Sequence, residues 1–125
     1  MGNIIKRIDK SKQRTTFVAT GELKTGELLE AINDFYHAGV TLDVLWDLTD
    51  VDLKNITSEA IREFTKTPPE GEALRRGGKT ALVVSSTYAF GLSRMYQLQK
   101  EIVEHAFETM VFKSMEDALK WLDNS

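Results

Sequence analysis

Three acidic residues, Asp47, Asp50 and Asp52, lie at the C-terminal end of the strand candidate Leu42–Leu48, in which Val44, Leu45 and Trp46 are consecutive and apolar. Carboxylates at the C-terminal end of a buried strand could hold a divalent cation or carry phosphoryl chemistry. Lys54 interrupts the run, and no further acidic partner at suitable spacing is evident. The expected role is a solvated loop in which Asp47 accepts turn amides. The segment Ala73–Thr80, ALRRGGKT, fits a loose phosphate-loop pattern with Ala in place of the first Gly. That chemistry needs a strand before the loop and a helix after it, so that backbone N–H groups and the helix dipole face the phosphate. Here a helical piece precedes and the strand TALVV follows, so Gly77-Gly78 reads as a helix end and strand entry. His37 and His105 are too few and too far apart for a local metal site. Ser85, Ser86 and Thr87 supply hydroxyls, but a nucleophile needs a base and an oriented partner, and neither is visible. One of the three is expected to cap the helix that follows. No catalytic residue, metal or cofactor is assigned.

Two groups of residues suit binding. Thr57 and Ser58 open a helix behind the acidic loop. Capping explains them, and a phosphate added there would be tolerated by the helix dipole while changing the surface sharply. Tyr88, Phe90, Met95 and Tyr96 crowd one end of a long helix and could line an apolar pocket, with Arg75, Arg76 or Lys79 meeting an acidic headgroup. Gly91 sits among those aromatics at a helix cost of about 1 kcal/mol against Ala. Close approach by another element or a ligand is the expected reason.

The elements that must position these residues follow from periodicity. Ile4–Asp9 and Arg14–Thr20 read as a strand pair around the polar run Lys10–Gln13, the second strand the more buried. Thr25–Ala38 carries a helical stripe of Leu28, Leu29, Ile32, Phe35 and Tyr36, with Thr25 as its cap and Gly39 as its end. Leu42–Leu48 is a strand apolar on both sides, as parallel sheets require. Thr57 caps a second helix with Ala60, Ile61 and Phe64 inward; Pro68 and Pro69 stop it, and Glu70–Arg76 adds a short piece. Lys79–Val84 is a buried strand. Thr87–Ala106 is a long helix with Leu92, Met95, Leu98 or Gln99, Ile102 and Ala106 inward and Arg94, Gln97, Glu101 and Glu104 outward. Thr109–Phe112 is a last strand, and Ser114 caps a helix carrying Met115, Ala118, Leu119 and Leu122. The order β-β-α-β-α-β-α-β-α implies one α/β domain over residues 1–125, mostly parallel, with an N-terminal hairpin at its edge.

Composition narrows the partners. The 125 residues are 42% hydrophobic and 28% charged, which fits one globular domain and not a disordered chain. A net charge of −3 disfavours sequence-independent nucleic-acid binding, which rests on phosphate contacts. The longest apolar run, Ala81–Val84, is far short of the roughly 20 residues that span a bilayer. No apolar leader follows Met1, and Lys6 breaks the myristoylation pattern that begins at Gly2. With no cysteine, disulfides and thiolate sites are excluded, and a cytoplasmic location is expected. Apolar surface on the hairpin or the second helix could support a homodimer.

The whole layout resembles the STAS / SpoIIAA-like family. The likeness runs through the opening hairpin, LWDLTDVDL, GKTALVV, FGLSRMYQ and the closing VFKSMEDALKWL, with Ser114 and an Ala-Leu-x-Trp-Leu helix at the end. In partner-switching members an Asp-Ser pair at the start of the second helix is phosphorylated. Aligning Asp47-Leu48 with that family's Asp-Leu places Asn55 and Ile56 near the pair, one or two residues before Thr57 and Ser58. The resemblance therefore implies a regulatory protein-binding module with Asp50, Asp52, Asn55, Thr57 and Ser58 at its contact surface. Another branch resembles lipid carriers of the Sec14 type, which implies the alternative: a carrier or sensor of a small apolar ligand, with membrane-surface association. In either branch the resemblance implies a binder and not an enzyme.

Overall fold

The computed structural model describes residues 2–102 and 106–124. Five strands form one sheet in sequential order: β1 (Asn3–Asp9), β2 (Arg14–Glu22), β3 (Asp43–Asp52), β4 (Lys79–Val84) and β5 (Glu108–Phe112). β1 and β2 are antiparallel, and the remaining neighbours are parallel. The helices are α1 (Thr25–Ala38), α2 (Ser58–Lys66), α3 (Thr87–Ile102) and α4 (Met115–Asp123), with a short 3₁₀ turn at Glu72–Arg75. The order of elements is the one the sequence implies.

Alternating strand side chains divide the core between the two faces of the sheet. Phe17, Trp46, Leu48, Leu82 and Val84 point to the face covered by α1, α2 and α3. The Phe17 ring stacks on Trp46 at 4.3 Å and meets the edge of Phe35 at 5.9 Å. Leu45, Ala81 and Val83 point to the other face, where α4 seats Ala118 and Leu122. Ser114 caps α4 as expected, its hydroxyl accepting the Asp117 N–H at 3.3 Å.

Several boundaries differ from the sequence reading. β3 continues to Asp52, so Asp50 and Asp52 are strand residues instead of a loop. β2 runs alongside to Glu22 and pairs Thr20 with Asp50, after a register shift between Val18 and Thr20. Asp47 lies at that irregularity and accepts from both the amide N and the hydroxyl of Thr49, at 3.1 and 2.6 Å. Asp is depleted in strands, which hides the extension from a propensity argument. Lys24, not Thr25, is the N-cap of α1, and its N–H is held by the Glu27 carboxylate at 2.8 Å. Ser86 is the hydroxyl that caps α3, accepting the Ala89 N–H at 3.0 Å.

The inward face of α3 is the larger correction. Leu98 and Ile102 are 47% and 78% exposed, while Ser93, Gln97 and Lys100 are buried beside Ala89 and Leu92. Helical spacing offers both stripes, and the helix turns its more polar one inward. The Ala106 end of the expected stripe falls beyond α3, and Glu104 and His105 lie outside the described residues. Gly91 faces open space, so neither a neighbouring element nor a close approach explains it. Gly78 is the glycine that contact demands: a Cβ there would stand 2.0 Å from the Leu42 carbonyl oxygen.

Candidate functional site

The C-terminal ends of the parallel strands carry the acidic surface. Asp50, Asp52, Lys54, Asn55, Thr57 and Ser58 are all exposed. Asp52 Oδ1 accepts the Lys54 N–H at 2.9 Å, and Asn55 Nδ2 donates to Glu22 Oε1 at 2.9 Å. Lys54 Nζ lies 3.6 Å from Asp52 and 3.9 Å from Glu22, both solvent-facing pairs that contribute little to stability. Thr57 is the N-cap of α2, and its Oγ1 accepts the Ala60 N–H at 3.1 Å. Ser58 is the first helical residue. The buried side chain of Ile56 anchors the loop from below, and the Tyr88 hydroxyl donates to the Ile56 carbonyl at 2.5 Å. The sequence-predicted contact residues therefore do come together on one rim, which carries Glu22, Asp50, Asp52 and Glu59 against Lys54.

The predicted aromatic and basic pocket does not assemble. Tyr88 is a half-exposed strut on the α2 loop. Phe90 packs against the core under Lys113, whose ammonium lies 4.7 Å from the ring centre. Met95 is partly buried against the same core. The basic trio separates in three directions. Arg76 is exposed. Lys79 reaches to the α4 side of the sheet, donating to the carbonyls of Trp121, at 2.7 Å, and Asn124. There it neutralises the negative end of that helix. Arg75 is only 2% exposed and points inward. It donates to the Leu42 and Lys79 carbonyls at 3.1 and 3.0 Å and to Thr80 Oγ1 at 2.7 Å, and stacks 3.9 Å above the Phe107 ring. A guanidinium satisfied in this way binds strand β4 to the 3₁₀ turn and is unavailable to an external headgroup.

Tyr96 alone of the predicted aromatics lines a pocket. A cavity of about 90 Å³ lies between α1, α2 and α3, walled by Leu28, Ile32, Ile61, Phe64, Leu92 and Tyr96 over a floor of Trp46 and Leu82. Beside it, a chamber of about 40 Å³ shares the walls Ile32, Trp46, Phe64, Thr80 and Tyr96. The second chamber ends in Glu72, Arg75 and Lys100, with Tyr36 and Phe107 around them. Lys100 Nζ and Glu72 Oε1 form a buried pair at 2.8 Å. Burial pushes the Tyr36 phenol up, opposed by the nearby Arg75 charge, and burial pushes Tyr96 up further. Both phenols therefore stay protonated near neutral pH.

Sequence reasoning missed Glu72, Lys100 and Tyr36. The one available signal was the i, i+4, i+7 spacing of Ser93, Gln97 and Lys100, interleaved with Ala89, Leu92 and Tyr96. Among the described residues no group of three or more His, Cys, Asp or Glu could hold a metal ion. His37 keeps to its helix end, with Nδ1 at 2.8 Å from the Asn33 carbonyl oxygen. No described helix is long and apolar enough to cross a membrane.

No family model and no curated protein matches the sequence. Solved structures match the fold. An anti-sigma factor antagonist from Mycobacterium paratuberculosis superposes with a TM-score of 0.62 at 12% identity, covering 99% of this chain and 96% of its own. An uncharacterised DUF3478-family protein with a SpoIIAA-like fold, from Shewanella loihica PV-4, superposes with a TM-score of 0.55 at 19% identity, covering 98% and 95%. The chain has the STAS/SpoIIAA-like fold.

Proposed function

We propose that this protein is a non-catalytic regulatory module that binds another protein through the rim formed by Asp50, Asp52, Asn55, Thr57 and Ser58. The observation that carries the reading is the exposed start of α2: Ser58 stands at the first helical position, in solvent, on a loop held from below by Ile56 and Tyr88. An exposed helix start is suited to recognition and to modification of a hydroxyl, because added negative charge there is stabilised by the dipole. The likeness to an anti-sigma factor antagonist over 99% of the chain supports a protein partner. The acidic rim favours a partner with a basic contact surface.

The two hydroxyls are not equivalent for a test. Thr57→Glu removes the N-cap and costs about 1 kcal/mol of helix stability, which mixes folding with binding. Ser58→Glu places a carboxylate in the first turn, where the helix favours it. Affinity capture with the wild-type protein, Ser58→Glu and the α4 variant Lys120→Glu tests the proposal. The expected result is one partner retained by the wild type and Lys120→Glu and lost by Ser58→Glu. Equal retention by all three refutes the rim as the contact surface.

A second reading, a carrier or sensor of a small apolar molecule, is supported by the apolar cavity between α1, α2 and α3. The residues that carry it are cavity walls, with Tyr96 the one member of the predicted set among them.

A further inference from the structure

Resting on that second reading, we propose that the two adjacent chambers together bind a small aromatic alcohol. Its ring would fill the apolar cavity, and its hydroxyl would donate to Glu72. Size comes first. The larger chamber, about 90 Å³, is apolar and adjoins one of about 40 Å³ across shared walls. An engineered apolar cavity of about 150 Å³ stays dry and takes up benzene, so together the two suit a single substituted ring.

The polar end sets the chemistry. Glu72 lines the smaller chamber and is 5% exposed. Its Oε1 is engaged by Lys100, while Oε2 is buried with no hydrogen-bond partner among the described residues. A buried carboxylate oxygen left without a donor is costly, and a ligand O–H removes that cost. The neighbouring Tyr96 phenol lines both chambers and can donate in turn to the ligand oxygen. A ligand carboxylate fits less well, because it would face Glu72 as a like charge. The charge of Arg75 is already met by two carbonyls, the hydroxyls of Thr80 and Tyr36 and the Phe107 ring face.

Isothermal titration of the full chain with 4-methylphenol and with p-xylene tests the proposal, since the two differ only by hydroxyl against methyl. Burial of apolar area alone favours p-xylene. The expected result is 4-methylphenol at least tenfold tighter, roughly the ratio for one buried hydrogen bond to a charged group. Glu72→Gln keeps an oxygen for Lys100 and trades the charged acceptor for a neutral amide donor, which the phenol oxygen can still accept, so it should reduce the preference. Ala60→Leu, which fills the cavity wall, should weaken both ligands and serves as a folded control. Equal binding of the two ligands, or an unchanged preference in Glu72→Gln, overturns the hydroxyl assignment and leaves the cavity reading standing. Binding of neither ligand overturns both.

Discussion

The two faces of the sheet are built differently. On one, a single helix lies directly over the central strands: α4 presses Ala118 and Leu122 onto Leu45, Ala81 and Val83, and Ala118, Ala81 and Val83 are all at 0% exposure. On the other, three helices share the sheet, and α1 stands apart from α2 and α3 across the cavity. The second face also carries the buried ions, Glu72, Arg75 and Lys100. Sequential strand order explains the contrast. β2-α1-β3, β3-α2-β4 and β4-α3-β5 are consecutive parallel crossovers, and all three helices lie on one face. The sheet has no reversal of strand order, the place where many α/β proteins form a binding crevice. Space opens instead between helices. The α4 face is small and closely packed, and the three-helix face carries the larger hydrophobic cluster together with the cavity.

Substitutions should separate the two faces, beginning with the largest effect. Glu72→Ala leaves Lys100 buried and unpaired, and should cost about 3–5 kcal/mol in chemical denaturation. An unchanged midpoint would mean that the ion pair opens to water. Next, the same change on each face should differ in sign. Ala118→Leu has no space to enter and should destabilise by about 1–3 kcal/mol. Ala60→Leu fills cavity and should stabilise by about 0.5–1 kcal/mol. Similar losses at both positions would abolish the distinction. The smallest effect concerns acid. Arg14 donates to Asp123 at 2.6 Å and holds that exposed carboxyl below its ordinary range. A carboxyl whose pKa is lowered in the folded state stabilises above its unfolded value, near 4, and loses that contribution as pH falls through the folded one. Arg14→Met should therefore flatten the acid side of the stability profile below about pH 4. An unaltered profile would remove the pair from the account.

The elements were legible wherever pattern and packing agree. TALVV reads as a buried strand, and Val83 and Val84 are at 0% exposure. Thr57 and Ser114 were legible as caps because a hydroxyl before a periodic run has a specific local task. The end of β3 was hidden because Asp50 and Asp52 look like loop residues, and only pairing with β2 extends the strand. The polar chamber was hidden for a stronger reason. Lys100 meets Glu72 across 28 residues, and the helical spacing of Ser93, Gln97 and Lys100 fits an outer face as well as an inner one. Arg75 shows the limit from the other direction. Next to Arg76 it reads as surface charge, while the turn at Gly77 and Gly78 directs it into the core. The rim from Asp50 to Ser58 was legible as a place, since those residues are contiguous.

The most direct test of the function is a hydrogen-exchange footprint of the protein bound to the partner recovered by capture. Added protection is expected over residues 50–61 and none over α4. Protection confined to α4, β5 or the β1 edge, with the start of α2 unchanged, would contradict it.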